Sequence, residues 1–328
     1  MAGQLTSIEF LTFAILKKGE IFMDKICKRI LQKIEIQDFF DRICSLNTAD
    51  FNSILLKLFS LRTAKSTPQK VLHTFRENRF VAPSSFDPIK LHQLELELLS
   101  MTSKAGITNK LLSPVAPIGS CSVFGCVNQN NVLSAVRNVE VLSDPSNILA
   151  IMLSNDILNN QIDHTRCTHY ATTTRVVRGQ KWEGENQYAH FGIFCIVSTA
   201  QDKGSYLCEK ELLKHHLQFY DNLIQTRYHR KMTIVLRRRT GYTAYEDFFE
   251  KMYSATKEMF PDTPISVVLD SENNNYYKGI NFKIYMQKDN EQIEIGDGGF
   301  VDWIGKMTGS KKNRCLISGL GLERLLLL

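Results

Sequence analysis

The stretch 296–328 constrains the fold of this chain more than any other. It reads GDGGFVDWIGKMTGSKKNRCLISGLGLERLLLL. We expect a glycine-rich turn at 296–299, followed by a short amphipathic helix from Val301 to Met307. The residues from Cys315 to Ser318 predict a buried strand, since a short apolar run bounded by glycine is typical of a core strand. This stretch therefore predicts a short helix followed by a buried strand, and the next residues predict a second helix.

The junction that follows this strand is the candidate ligand site. Gly319 and Gly321 end the strand, and a second helix opens at Leu322 with Glu323 and Arg324 in its first turn. Glycines at such a junction let the backbone approach a ligand closely, because no Cβ intrudes. An arginine there can stack on an aromatic ring and still reach phosphate oxygens. A core strand and a core helix joined by a tight turn would show the same local pattern, which is weak by itself.

The two ends of this stretch together resemble motif 3 of class II aminoacyl-tRNA synthetases, and within that class the histidyl-tRNA synthetase branch. That branch joins a Gly-Gly-x-x-Asp turn to a Gly-x-Gly-Leu-Glu-Arg-Leu helix, and the chain carries both, at 298–302 and 319–325. It departs from the family at Phe300-Val301, where Arg-Tyr is usual. The resemblance implies an ATP site that includes Gly319, Gly321, Glu323 and the catalytic Arg324, and substrate contacts at Gly298 and Gly299.

Residues 169–198 predict a β-hairpin with a long polar loop. The first strand runs from Thr172 to Val177, the loop covers 179–187, and the return strand runs from Ala189 to Val197. This hairpin resembles motif 2 of the same synthetase class. We therefore expect its loop and strand ends to face the nucleotide.

The resemblance to motif 2 gives Arg178 and Tyr188 roles in ATP binding. Arg178 stands where the family's catalytic arginine clamps the α-phosphate and the substrate carbonyl during adenylation. Tyr188 occupies the place of the aromatic residue that stacks on adenine. The chain departs from the family at Gln180 and Phe194, where carboxylates are usual. An arginine at a strand end is common, so the ATP site depends on its pairing with Arg324.

A second aromatic signature lies at 275–282. It resembles the histidyl branch's Arg-Gly-Leu-Asp-Tyr-Tyr-x-Gly-x-x-Phe box, with Tyr276 and Tyr277 in place. The resemblance implies that both tyrosines bind substrate, as does His190 on the return strand of the hairpin. Glu272 stands where the family has its histidine-sensing arginine, which would suit a positive or hydrogen-donating substrate side chain. The tyrosines could also be core aromatics, and Glu272 could lie on a solvent-facing loop.

Asp144 is the candidate for the substrate's α-ammonium group. It follows a predicted strand at 138–142, one place out of register with the acid that has this role in the family. Asp144 is also well placed to cap the helix that starts near Ser146, because aspartate is a favoured N-cap residue. The sequence favours the capping role over the binding role.

A long helix from Pro88 to Ala105 and an extended segment at 111–125 resemble motif 1. Motif 1 forms the dimer interface in class II synthetases. The match is in pattern only, and it implies a homodimer.

The region 1–85 predicts a mostly helical appendage, and we place the start of the catalytic domain at residue 86, after Ala82-Pro83. The appendage holds 8 Lys and 5 Arg against 8 acidic residues, a net charge of +5. A basic helical region suits a phosphate backbone such as tRNA, although a solvated helix face is at least as good an interpretation. The Arg237–Arg239 triplet, which we expect on a loop, is the stronger candidate for phosphate binding.

Composition bounds the class of protein. The chain has 328 residues, of which 43% are hydrophobic and 23% charged, as in a globular domain with a sizeable core. No apolar run is long enough to span a bilayer. The 8 cysteines are scattered without a second close pair, so we expect no zinc site and a reducing, cytoplasmic setting.

We therefore expect an α+β fold over 86–328: an antiparallel sheet of about six strands flanked by helices, with the helical appendage before it. The resemblance implies ATP and Mg²⁺ as cofactors and a ligase that forms an aminoacyl-adenylate. The acceptor would be a tRNA, a carrier protein or a small molecule. Because the chain ends without an anticodon-binding domain, we expect a paralogue rather than a full synthetase. The alternative is a non-catalytic regulator, like the synthetase-like subunit of ATP phosphoribosyltransferase.

Overall fold

The computed structural model describes residues 24–180, 188–269, 276–288 and 291–328. The chain divides into two compact units, Met1–Ser66 and Thr67–Leu328. In the first unit, residues 24–34 form helix α1, and α2 (Phe39–Cys44) and α3 (Thr48–Thr63) follow it. Neither α2 nor α3 has a buried residue within the described chain. The predicted helical appendage is thus helical in its described part.

The second unit contains the remaining elements. Its helices are α4 (Pro68–Glu77), α5 (Pro88–Lys104), α6 (Pro145–Leu158), α7 (Leu207–Tyr228), α8 (Tyr245–Met259), α9 (Trp303–Thr308) and α10 (Leu322–Leu326). Its strands are β1 (Thr108–Asn109), β2 (Val115–Pro117), β3 (Val139–Val141), β4 (Thr168–Val177), β5 (His190–Gln201), β6 (Met232–Arg238), β7 (Ile265–Val268), β8 (Ile280–Lys288), β9 (Glu291–Val301) and β10 (Asn313–Gly321). A short 3-10 turn covers Gln129–Asn131.

The central sheet has eight strands in the order β1-β4-β5-β10-β9-β8-β6-β7. The six inner strands pair antiparallel, which confirms the expected sheet. The edge strands β1 and β7 each add a parallel pair that the sequence did not predict. Strands β2 and β3 form a small separate sheet.

The glycine-rich stretch 296–299 is not a turn. It lies inside β9, where Gly298 and Gly299 pair with β8 on one side and with β10 on the other. A Cβ at Gly298 would stand 2.5 Å from the Phe282 ring, and one at Gly299 would stand 2.5 Å from the Tyr277 ring. The glycines are therefore needed because aromatic rings lie directly on this strand.

Helices cover both faces of the sheet. On one face, α5, α7 and α8 build a core around buried residues such as Leu98, Tyr220 and Phe248. On the other face, α6 and α9 build a smaller core that includes Leu149 and Trp303. The second face is only partly covered, and the candidate site lies there.

A chain of polar side chains is buried in the layer between the sheet and α7. His169 bonds Ser198 (2.6 Å), which bonds His216 (2.7 Å) in turn. His216 then bonds Ser318 (2.7 Å), which also accepts the Tyr220 hydroxyl (2.8 Å). Burial lowers the pKa of His169 to about 4 and lowers that of His216 as well. Both rings are therefore neutral at physiological pH.

The Arg237–Arg239 triplet does not lie on an open loop. Its first two residues end β6, and Arg238 pairs with Glu246 at 3.3 Å. Arg239 is buried and donates to the Asn281 side chain at 2.7 Å. The prediction of a loop arginine patch was wrong, because these side chains hold β6 to its neighbours.

Candidate active site

A cavity of about 710 Å³ opens on the α6 face of the sheet. Strands β5, β9 and β10 form its floor, and the start of α10 closes one side. Gly296, Gly319 and Gly321 lie on this floor, where the absence of side chains leaves room for a ligand. The volume is that of a typical small-molecule site.

The two arginines that the sequence singled out line this same cavity. Arg178 donates from Nε to the Ser143 carbonyl at 3.1 Å, and Arg324 donates from Nη1 to the Glu294 carbonyl at 2.8 Å. Among the described residues, neither guanidinium forms an ion pair with a carboxylate. Each is held in place by the backbone while its positive charge stays uncompensated.

The aromatic wall of the cavity is Phe191, which the sequence analysis missed. Phe191 lines the cavity, and the guanidinium of Arg178 lies 5.2 Å from its ring centroid. Tyr188 also lines the cavity, but its hydroxyl donates to the Ser85 hydroxyl at 2.8 Å. Phe191 is thus the ring beside the arginine, and Tyr188 is tied to another segment of the chain.

Asp144 has the capping role that the sequence favoured, and it also lines the cavity. It caps α6 by accepting from the Ser146 backbone N–H at 3.0 Å and from its hydroxyl at 2.6 Å. Its second carboxylate oxygen accepts from the Tyr276 hydroxyl at 3.3 Å, and the residue lines the cavity. The cap fixes the carboxylate without removing it from the site.

Asp297 is a second carboxylate in the cavity and was not singled out from the sequence. It accepts a hydrogen bond from the Tyr277 hydroxyl at 3.0 Å. Tyr277 packs edge-on against Tyr276, with ring centroids 4.8 Å apart. Burial raises the pKa of Asp297, and it also raises the pKa of both tyrosines. The tyrosines therefore remain hydroxyl donors.

Several predicted residues lie away from the cavity wall. Gly298 and Gly299 lie beneath aromatic rings, not on the floor. His190 is not among the lining residues: its Nε2 donates to the Ala82 carbonyl at 2.7 Å, and its Nδ1 faces Arg175. Glu272 falls outside the described residues.

Solved structures share this architecture. S. aureus histidyl-tRNA synthetase in its apo form matches with a TM-score of 0.58 and 10% identity, over 75% of this chain and 71% of that chain. The RNA binding domain of threonyl-tRNA synthetase from Cryptosporidium parvum Iowa II matches at 0.58 and 10%, over 73% and 63%. An ATP phosphoribosyltransferase regulatory subunit/histidyl-tRNA synthetase from Bacillus halodurans C matches at 0.55 and 10%, over 72% and 79%.

This chain has the class II aminoacyl-tRNA synthetase fold. At these identities the likeness establishes the fold and does not assign an activity. Comparison of the sequence with protein-family models finds no match, and comparison with curated proteins finds none either. Within the described ranges, no helix has the length and apolar character needed to cross a membrane.

The structure separates the two positions, 180 and 194, at which the hairpin lacks the carboxylates that are usual in the family. Phe194 is fully buried on the other face of the sheet and stacks on Phe219 with ring centroids 5.2 Å apart. Its neighbour Cys195 is the residue that lines the cavity. Gln180 does line the cavity, so it is the substitution that bears on ligand binding.

The cysteine thiols in the cavity are not nucleophiles. Burial raises the pKa of Cys121 to about 12, and Asn147 donates to its sulfur at 3.0 Å. Burial also raises the pKa of Cys195. Because the thiolate is the reactive form, these buried thiols are poorly suited to act as nucleophiles near neutral pH.

A strap formed by residues 79–86 crosses the hairpin of this class II fold. Arg79 donates to the Gly179 carbonyl, the Ala82 carbonyl accepts from His190, and Ser85 bonds Tyr188. Phe86 then lines the cavity. The strap therefore attaches to the residues at both ends of the hairpin loop, Gly179 and Tyr188.

Asp202, Cys208 and Glu209 are close enough together to hold a metal ion. Arg314 already occupies this position: its guanidinium lies 2.7 Å from Asp202 and 2.8 Å from Glu209. One guanidinium between two carboxylates neutralises half of their combined charge and fills the space between them. We therefore interpret the cluster as a structural ion pair.

Proposed function

We propose that this protein is an ATP-dependent ligase that activates an amino acid as its adenylate. The observation that carries the proposal is the pair of uncompensated arginines, Arg178 and Arg324, in one cavity of a class II fold. Two fixed positive charges, one of them beside the Phe191 ring, suit a nucleotide, whose phosphates are anionic and whose base is flat. ATP would therefore bind with its adenine at Phe191 and Arg324.

The reaction would be an in-line attack of the amino-acid carboxylate on the α-phosphate, with pyrophosphate as the leaving group. Negative charge increases on the α-phosphate oxygens during this step. Arg178 is placed to stabilise that charge, because its Nε is fixed on Ser143 while its terminal nitrogens remain available. Removing one such group costs about 10²–10³ in rate in other enzymes.

The amino acid would bind beside Arg178. Asp144 follows Ser143 directly, so its carboxylate lies near the same guanidinium. An α-carboxylate at Arg178 and an α-ammonium at Asp144 would satisfy both ends of the zwitterion. Tyr276, hydrogen-bonded to Asp144, would orient the acid.

Magnesium would be held mainly by the phosphates. Mg²⁺ in nucleotide sites commonly needs one or two carboxylates and keeps several waters. Glu294 and Glu323 line the cavity, but Lys283 contacts the first at 2.7 Å and Arg175 contacts the second at 3.1 Å. The ion would neutralise phosphate charge that the two arginines leave uncompensated.

Pyrophosphate exchange across the proteinogenic amino acids tests the proposal. We expect exchange with one amino acid or a small set, and a loss of about 10²-fold or more in Arg178→Ala and Arg324→Ala. Arg166→Ala is the matched control, since its side chain is 86% exposed and lies outside the cavity. Exchange that survives both cavity substitutions would refute the assignment.

A regulatory subunit is the second candidate function. The fold is shared with an ATP phosphoribosyltransferase regulatory subunit/histidyl-tRNA synthetase, and Gln180 replaces an acid in the cavity. A regulator needs no exchange activity but must alter its partner. A flat exchange screen, together with a changed rate of ATP phosphoribosyltransferase on addition of this protein, would favour this function.

We also propose a homodimer. Leu111 and Val123 are 98% and 82% exposed in the segment that resembles motif 1. Exposed apolar side chains of this size in one segment favour a protein interface. Val123→Asp should shift the sedimentation of the protein from dimer to monomer, whereas the same change at the exposed Val71 of α4 should not. The acceptor of the activated amino acid would be a tRNA, a carrier protein or a small molecule.

A further inference from the structure

The carboxylates that line the cavity differ in how their charge is compensated. Among the residues that the structure describes, four acidic side chains line it. Glu294 is paired with Lys283 at 2.7 Å and also accepts from Tyr285 at 3.2 Å. Glu323 accepts from the Gly192 backbone N–H at 2.8 and 3.0 Å and is paired with Arg175. These two acids are satisfied within the protein.

The other two acids, Asp144 and Asp297, have no such partner. In the described part of the chain, no lysine or arginine forms an ion pair with either carboxylate. Their cavity contacts are neutral hydroxyls, Tyr276 on Asp144 and Tyr277 on Asp297. Because these two tyrosine rings are in contact, the two carboxylates are neighbours across one edge of the cavity.

Two neighbouring carboxylates that form no ion pair are unfavourable in a partly buried site. Burial raises the pKa of Asp297, and the charges of Glu294 and Asp144 raise it further. The Tyr277 hydrogen bond and the charge of Lys283 lower the pKa of Asp297 but do not cancel this effect. A ligand that brings positive charge to Asp297 would remove the penalty.

We propose that Asp297 binds the cationic side chain of a basic amino acid whose α-ammonium lies at Asp144. This inference rests on the proposed function, because it uses the same cavity and the same orientation of the amino acid. Asp144 would then bind the α-ammonium group, Asp297 the cationic side chain, and Arg178 the α-carboxylate. The substrate class is an amino acid with an amine, guanidinium or imidazolium side chain.

A neutral side chain of the same length would bind more weakly. It would cover Asp297 and leave the carboxylate without a charged donor, which costs more than the loss of an exposed contact. A hydrogen bond to a charged group contributes about 1.5–3 kcal/mol, which corresponds to about 10- to 100-fold in affinity. Selection against neutral analogues should therefore be strong at this one position.

Calorimetric binding to the full chain without ATP tests the inference. The ligands are lysine, ornithine, arginine and histidine, each compared with a neutral analogue, which for lysine is norleucine and for arginine is citrulline. We expect at least one basic amino acid to bind about tenfold or more tightly than its neutral analogue. Asp297→Asn should abolish that preference by weakening the basic ligand, and Glu291→Gln, an exposed acid on the same strand, should preserve it.

The outcomes separate this inference from the proposed function. Binding of a neutral or acidic amino acid in preference to every basic one would overturn it, even if that amino acid supports pyrophosphate exchange. Equal preference in the wild type and Asp297→Asn would also overturn it, as would the absence of binding by any basic ligand. A basic amino acid that binds through Asp297 but supports no exchange would uphold it and count against the ligase.

Discussion

Replacing Gly299 with alanine is expected to destabilise the protein and to distort the cavity. Gly299 lies in β9 beneath the Tyr277 ring. A Cβ there would stand 2.5 Å from Tyr277 Cδ1 and 2.8 Å from both Asn281 Cβ and the Ile280 carbonyl oxygen. Because ordinary Cβ contacts begin at 3.4 Å, the ring would have to move by about 0.9 Å.

The loss of stability depends on which neighbours of the new Cβ can move away from it. Asn281 is the β8 partner of Gly299, so it cannot retreat without opening the ladder, and Tyr277 has to give way. Overpacking of this kind typically costs about 1–3 kcal/mol. A shift of the ring would also stretch the 3.0 Å hydrogen bond from Tyr277 to Asp297 beyond hydrogen-bonding range. Stability and amino-acid binding should therefore fall together.

Urea denaturation measures the cost, with Gly305→Ala as the matched control. Gly305 lies in α9, and a Cβ there would meet its nearest atom, the Ser310 carbonyl oxygen, at 3.3 Å. This contact is only slightly tighter than an ordinary one, so the change should cost much less than Gly299→Ala, and the better helix propensity of alanine should offset part of that cost. A Gly299→Ala protein as stable as the control would refute the reasoning. In a Tyr277→Ala background the loss should be smaller but not zero, because the 2.8 Å contacts with Asn281 and Ile280 remain.

Three further predictions concern charge. Acid should destabilise the protein between pH 6.5 and about 4, because His169 and His216 bind fewer protons in the folded state than in the unfolded state. His169 alone accounts for up to about 3 kcal/mol of this loss. His169→Gln should therefore flatten the pH dependence of the melting temperature. Arg314→Met should lower the free energy of unfolding in urea by about 3–5 kcal/mol, because it leaves the Glu209 carboxylate buried without its cation. A chelator should leave the stability of the wild type unchanged, because the cluster holds an arginine and not a metal ion. Asp297→Asn should raise the melting temperature at neutral pH, since the folded state disfavours the ionised carboxylate, and the gain should disappear below pH 3.8.

The sequence predicted the candidate site best where its residues lie close together along the chain. The strand that ends in Gly319 and Gly321, with a helix opening at Leu322, is present as expected and places Arg324 in the cavity. The predicted hairpin is also present, and Arg178 at the end of its first strand lines the cavity. Each motif is contiguous, so its local geometry could be predicted without knowledge of the rest of the chain.

Residues whose role depends on which face of a strand is exposed were harder to predict. Phe191 and Asp297 lie on strands of the central sheet that have cores on both faces, so hydrophobic alternation is weak. The glycine stretch before Phe300 was interpreted as a turn because glycine runs are typical of turns. Its place in the sheet becomes clear only when the Tyr277 and Phe282 rings are seen lying across it.

The strap has a practical consequence for where this chain can be shortened. A fragment beginning at residue 86, the boundary that the sequence suggests, would keep every strand of the central sheet. It would nevertheless lose the partners of Gly179, Tyr188 and His190, which flank the hairpin loop. Expression of the sheet-containing unit should therefore begin at or before Thr67, where the second compact unit starts.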